Sequence, residues 1–184
     1  MDPRQAEAAA AMAAMVQGER AALARLIALY GPGIRRYAAQ ILLNAAEAED
    51  VAQEVFLRAW SRATSYDPAK GAVSSWLYRI TVNLCIDHNR RGRFRRFVGI
   101  DSVAEPEDDT PGAEAELAAR QRLALAHAAI RTLPERQRQA ILLKAAGELS
   151  GAEIAAALKT SEGAVEQLLV RARAALRARL EKED

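Results

Sequence analysis

The stretch from Leu149 to Leu180, LSGAEIAAALKTSEGAVEQLLVRARAALRARL, admits few folds, because its apolar residues recur at helical spacing in two runs parted by Thr160 and Ser161. Ser150, followed three residues later by Glu153, forms a capping box that starts a helix at about Gly151. Ile154, Ala155 and Leu158 make its inner face, and the small Ala155 lets a second helix cross closely. Thr160 and Ser161 stop the first helix and cap the second, in which Val165, Leu168, Leu169, Ala172 and Leu176 share one side. Glu162, Glu166, Gln167, Arg171 and Arg173 face outward. Polar side chains followed by arginines suit a helix seated in the major groove with clamps on phosphate. An ordinary helical hairpin with a solvated charged face is the plainer alternative.

Charge divides the chain. Residues 1 to 100 hold fourteen Lys/Arg against nine Asp/Glu, residues 101 to 116 hold none against seven, and residues 117 to 184 hold twelve against eight. The acidic segment, DSVAEPEDDTPGAEAE, has two prolines, one glycine and no apolar periodicity, and reads as a flexible linker. DNA attracted to the flanking basic blocks would repel it; it is suited to solvent or to a basic channel on a partner.

Before the linker the pattern is helical. The sequence predicts a helix from about Gln5 to Leu29, a break at Gly31-Pro32-Gly33, and helices over Ile34 to Leu43, Ala46 to Arg62 and Ser74 to about Arg91, with a loop from Ala63 to Val73. Beyond it, helices are expected near Glu116 to Arg131 and from Pro134 to Ala146. The fold class is all-α: two small helical domains, 1–97 and 117–184, joined by the acidic flexible linker 98–116, the C-terminal one a helix-turn-helix. Neither a secretory leader nor an apolar run of the about twenty residues needed to span a membrane is found, so a cytoplasmic location is expected. The single cysteine, Cys85, excludes an internal disulfide.

Three constellations bear on chemistry. Glu47, Glu49, Asp50, Gln53 and Glu54, interleaved with Phe56, Leu57 and Trp60, make a helix edge that is acidic at its start and aromatic at its end. Acidic residues in a first turn complement the helix dipole, but the same edge suits docking to a basic helix with Phe56 or Trp60 as anchor. Tyr66, Trp76, Tyr78, Arg79, Asn83 and Asp87, followed by RRGRFRRF, combine rings with positive charge, the chemistry of single-stranded nucleic acid. Trp76, Ile80 and Leu84 equally suit one buried stripe. Arg90, Arg91, Arg93, Arg95 and Arg96 are too dense for burial and read as a phosphate-binding patch in preference to a disordered solvated run. Cys85 and His88 have zinc-ligand spacing, yet the other histidine, His127, lies beyond the linker, and no metal or cofactor is expected. No phosphate loop or nucleophile elbow is found, so the chain does not read as an enzyme.

AEAEDVAQEVFLRAW, SSWLYRITVNLCIDHNRR, LPERQRQAILL and LSGAEIAAAL with GAVEQLLVRARAALRARL together resemble the bacterial RNA polymerase sigma factors of the extracytoplasmic-function group, in that family's order, spacing and length. The resemblance implies a promoter-specificity subunit. Its first domain would dock on core polymerase and melt and read the minus-ten element, and its second would read the minus-thirty-five element. It assigns Asp50, Gln53, Glu54, Phe56 and Trp60 to the coiled coil of the β′ subunit, with the β subunit as a further contact. Tyr66, Lys70, Trp76, Tyr78, Arg79 and Asn83 fall to capture of a flipped base, and Arg90, Arg91 and Arg93 to the duplex just upstream. Ser161, Glu162, Gly163, Glu166, Gln167, Arg171 and Arg173 match the recognition helix. The linker would approach the polymerase active-site channel, and an anti-sigma protein would be a partner. Three departures stand out: Lys159 replaces the usual turn glycine, Glu166-Gln167-Leu168 replaces a basic-serine-basic face, and the loop around Asp67 and Lys70 is of a variable kind. A stand-alone helix-turn-helix regulator is the alternative, but it leaves the aromatic segment and docking helix without a purpose. A sigma-mimicking adaptor leaves the arginines without one.

Overall fold

The computed structural model describes residues 2–97 and 124–181, with the backbone alone for 93–97. The acidic segment 98–116 and the start of the helix expected near Glu116 lie outside the described residues. Helices run over Pro3–Val16 (α1), Arg20–Leu42 (α2), Ala45–Ser61 (α3), Val73–Phe97 (α4), 124–131 (α5), Glu135–Ala145 (α6), Gly151–Leu158 (α7) and Glu162–Leu180 (α8), with 3-10 turns at Ala63–Ser65 and Pro68–Lys70. The fold is all-α, with no strand among the described residues.

Short polar side chains set the helix starts. Asp2 accepts from the Arg4 amide at 3.2 Å with Pro3 in the first turn, where its missing N–H is harmless. Asn44 Oδ1 accepts from the amides of Ala46 and Glu47 at 3.0 and 3.1 Å. Ser150 and Glu153 form the expected reciprocal box, and Ser161 Oγ accepts from the Ala164 amide. Each such cap contributes about 1 kcal/mol.

Two boundaries differ from expectation. The N-terminal helix ends at Val16, and Gly18, at φ 87°, turns the chain before α2. The break expected at Gly31-Pro32-Gly33 does not occur: α2 continues through Pro32. Proline inside a helix costs roughly 3 kcal/mol. Here both glycines are buried, so α3 and α4 approach α2 at this turn; a Cβ on Gly31 would lie 3.9 Å from the Phe56 ring, and one on Gly33 only 2.4 Å from the Tyr78 hydroxyl. Burial on two sides offsets a local signal that would end an isolated helix.

Leu26, Ile34, Tyr37, Val51, Val55 and Leu77 form the centre of the first half, and Leu143, Leu149, Ile154 and Val165 that of the second. The two halves share one continuous apolar core. Polar contacts cross between them as well: Arg4 Nη1 donates to Glu148 at 2.8 Å, Arg36 Nη2 to the Ala146 carbonyl at 3.2 Å, and Gln5 Nε2 to Glu153 at 3.3 Å. The Gln40 amide nitrogen lies 3.0 Å from His127 Nε2.

Candidate nucleic-acid interface

Helix α3 presents its apolar stripe to α2 but leaves the outer edge uncovered. Between the helices lies a cavity of about 540 Å³, lined by Ile27, Gly31, Gln53, Phe56 and Leu57 among others. Of the residues expected to dock polymerase, Gln53 and Phe56 line this groove, Phe56 being largely buried at its floor. Asp50 is exposed and does not line it, Glu54 is held by Arg58 at 2.6 Å, and Trp60 is half-buried against the core. The groove adds two residues absent from the expected set, Leu57 at 62% exposure and Ile27 at 42%. Leu57 was legible as part of the aromatic edge. Ile27 was not, because its helix carried no functional signal.

The loop after α3 builds a compact polar turn. Asp67 accepts from the Ala69 amide at 3.0 Å and pairs with Lys70 at 3.1 Å. The bond from Lys70, then that from the amide, holds its carboxyl below the ordinary range. Tyr66 donates its hydroxyl to the Gly71 carbonyl at 3.0 Å, and its ring meets Trp76 edge-on at 5.7 Å between centroids. Burial, then Asp67, raises the Tyr66 hydroxyl above its usual value, so it remains a donor near neutrality. Tyr66, Lys70, Trp76 and Arg79 line one small recess, and Ala156 of α7 closes a side of it.

The remaining expected minus-ten residues separate. Asn83 is exposed and lines a different cavity, of about 340 Å³, with Arg136, Gln139 and Lys159. Arg90 and Arg91 are exposed, Arg90 lying 3.3 Å from Asp87. The side chain of Arg93 lies outside the described residues. Tyr78 is a correction to the expected set: it is fully buried, its ring packed edge-on to Tyr37 at 6.3 Å, and it offers no face to a base in this conformation. Trp76 is 9% exposed, so its edge alone reaches the recess. The buried stripe weighed for Trp76, Ile80 and Leu84 is thus realised, with Leu84 buried and Ile80 partly so.

In the helix-turn-helix, Lys159 takes the left-handed conformation at φ 52°, the position where glycine avoids strain. Arg136 Nη1 donates to the Leu158 carbonyl at 3.1 Å and so satisfies one terminal acceptor of α7. Val165, Leu169 and Ala172 are buried. Ser161, Glu162, Gly163, Glu166, Gln167, Arg171 and Arg173 are all exposed, on the helix where the sequence placed them.

Similarities to known proteins follow the same division. The family model for Sigma-70 region 2 matches residues 26–95, and that for Sigma-70, region 4 matches residues 123–176. RNA polymerase sigma factor NccH of Alcaligenes xylosoxydans xylosoxydans is 33% identical over 98% of this chain and 97% of its own length. ECF RNA polymerase sigma factor SigL of Mycobacterium tuberculosis is 37% identical over 92% of this chain and 97% of its own. The structure of CnrH in complex with the cytosolic domain of CnrY covers all of both chains, with a TM-score of 0.72 and 30% identity. That of RpoE with the anti-sigma factor NepR from Bartonella quintana covers 85% of this chain and 95% of that one, with a TM-score of 0.67 and 25% identity.

Proposed function

Since the chain belongs to the extracytoplasmic-function sigma factors of the sigma-70 family, we propose that its surfaces divide the work of initiation between residues 1–97, for polymerase docking and the minus-ten element, and 117–184, for the minus-thirty-five element. It is an alternative sigma factor: it binds core RNA polymerase, directs it to specific promoters and promotes melting, and it is an initiation factor rather than an enzyme. A stand-alone regulator is disfavoured, because it would have no use for a region 2 spanning residues 26–95.

The observation that carries the assignment of surfaces is the groove between α2 and α3, apolar at Ile27, Phe56 and Leu57 and edged by Glu49, which lies 3.6 Å from Arg35 of α2. An amphipathic helix with a basic flank, such as one helix of the β′ coiled coil, fits such a groove: its apolar side chains enter the cleft while its cations meet Glu49 and the exposed Asp50 of α3. Contact with the β subunit is part of the same reading. The recess at Tyr66, Lys70, Trp76 and Arg79 receives an unstacked base, with edge contact from the rings and phosphate contact from the cations. Binding energy realised only on melted DNA favours opening without a nucleotide fuel. Asn83, Arg90, Arg91 and Arg93 continue along α4 toward upstream duplex. In α8, Arg171 and Arg173 hold phosphates, while Glu166 and Gln167 reach base edges, Glu166 accepting from cytosine.

The solved relatives include a complex with an anti-sigma factor, and the apolar groove supports an anti-sigma protein as a partner of this chain too. No helix of the described residues is long and apolar enough to cross a membrane; a cytoplasmic location is the reading consistent with a polymerase partner. Run-off transcription with purified core polymerase on a promoter library tests the whole assignment. Defined starts that depend on the protein support it, and retention of duplex DNA without any binding to core overturns it.

A further inference from the structure

The outward face of α8 carries one large apolar residue that the polar pattern of that face does not lead one to expect. Val170 is 52% exposed. It lies one turn beyond Glu166, three residues beyond Gln167 and beside Arg171. Leu169 and Ala172 on either side are buried, so Val170 stands on the side of α8 turned away from the core. Neither local preference nor packing accounts for it: a β-branched side chain is mildly unfavourable in a helix, and one that keeps half its surface in water gains little from burial. The other large apolar side chain exposed on α8, among the described residues, is Leu180 at the far end of the helix.

Gly163 shares that face, two turns before Val170. It sits in the first turn of α8 without a positive φ, and a Cβ there would meet nothing within 4 Å. The fold therefore has no need of a glycine at this position, although glycine weakens a helix relative to alanine. Clear space on the outer side is what a helix needs to seat closely against a second surface. Between Gly163 and Val170 the face carries Glu166 and Gln167, and Arg171 and Arg173 flank it, all exposed. A cleared point, two polar readers, one apolar tip and two cations together match the chemistry of a major groove. Cations take phosphates, polar groups take base edges, and an apolar tip takes a base that presents a methyl group. Of the four bases, only thymine presents one there.

We propose that Val170 is a specificity-determining residue that reads the C5-methyl group of a thymine in the minus-thirty-five element, with Gly163 as the point where α8 seats closest to the groove. The inference rests on the minus-thirty-five reading of α8 above and adds a base to it. Four residues of helix advance about 6 Å, and successive base pairs lie about 3.4 Å apart. The thymine is therefore within about two base pairs of the base that Glu166 reads. Its recognition is apolar, and so separable from the sequence-independent hold of Arg171 and Arg173 on phosphate.

The test uses holoenzyme reconstituted from the full chain and core polymerase. Its probes are two pools of duplex promoter fragments with a randomised minus-thirty-five region, one containing thymine there and the other uracil, which lacks only the methyl group. Sequencing the bound fraction reads enrichment at every position. Expected is one position, within about two base pairs of the one that Glu166→Gln alters, where wild-type holoenzyme enriches thymine about fourfold over uracil, the factor for removing one methyl group from water. Val170→Ala, which keeps a good helix former on an exposed face, should abolish that difference. Gly163→Ala should raise the urea midpoint of the free protein while lowering retention of both pools, a pair of opposite effects that a structural role alone does not give. No thymine preference over uracil in wild type, or an undiminished one in Val170→Ala, overturns the methyl contact. If Arg171→Gln still weakens retention of every fragment, the minus-thirty-five reading survives that failure. Loss of core binding in Val170→Ala would assign the residue to a protein interface and overturn the proposal, and wild-type retention by Gly163→Ala would overturn the close seat. No enrichment at any position of the region overturns the proposal and the minus-thirty-five reading together.

Discussion

The Ser74 hydroxyl, in the first turn of α4, donates to the Glu153 carboxylate in the first turn of α7, so one acidic group caps its own helix and fastens it to another. Burial pushes the Glu153 carboxyl up, but hydrogen bonds from Ser74, from the Ser150 amide and hydroxyl and from Gln5 outweigh it and hold the group below its ordinary value of 4.5. Because the folded value is depressed, this group contributes stability that is fully present above about 4.5 and is lost as pH falls through the lower folded value. Ser74→Ala should destabilise the protein by about 1.5 kcal/mol at neutral pH, the lower end of the range for a hydrogen bond to a charged group, since Glu153 is only partly buried. The difference from wild type should shrink in acid. Urea titrations of both proteins at neutral and acid pH measure it, and a constant difference would show that Ser74 acts through packing alone.

Lys159 carries a side chain in the left-handed region at the end of α7. Lys159→Gly removes a steric cost of roughly 1 kcal/mol. The helix-turn-helix should gain about that much, read as a higher urea midpoint at unchanged m-value. An unchanged midpoint would mean that the Lys159 side chain compensates by a contact in the cavity that it shares with Asn83.

Leu57 and Phe56 separate docking from folding. Leu57 is 62% exposed at the groove rim, so Leu57→Asp should leave thermal stability within about 0.5 kcal/mol of wild type. It should nevertheless weaken core-polymerase binding by more than tenfold, because a carboxylate is stranded in an apolar cleft. Phe56→Ala, at a buried position, should cost about 3–5 kcal/mol of stability as well. Thermal unfolding alongside fluorescence titration with core polymerase distinguishes the two, and wild-type core binding by Leu57→Asp would remove the groove from the interface.

Arg171 and Arg173 are exposed along α8. Arg171→Gln should weaken binding to all duplexes alike and reduce the slope of log affinity against log salt by about 1, as loss of a phosphate contact does. Glu166→Gln should instead change which minus-thirty-five bases are preferred. Affinities for a library of duplex sites at several salt concentrations read both, and a sequence-selective effect of Arg171→Gln would reassign it to base readout.

Cys85 is buried and its thiol is pushed up to about 12 by burial. In the native protein it should react with a thiol reagent only as fast as the first half opens. Labelling near the rate of a free thiol would place Cys85 outside the core.

Local rules settle much of this chain's secondary structure. The capping box at Ser150 and Glu153, the Ser161 cap, the apolar face of Val165, Leu169 and Ala172 and the exposed polar face of α8 were all legible, because caps and helical periodicity act within a few residues. Periodicity says which face of a helix is apolar and leaves open what covers it. Long-range packing is what carries α2 through Pro32, buries Tyr78, brings Ile27 together with Phe56 and Leu57 in one groove and lays α7 on α4. Each follows from burial against residues distant in sequence, whose summed packing outweighs a local preference of a few kcal/mol.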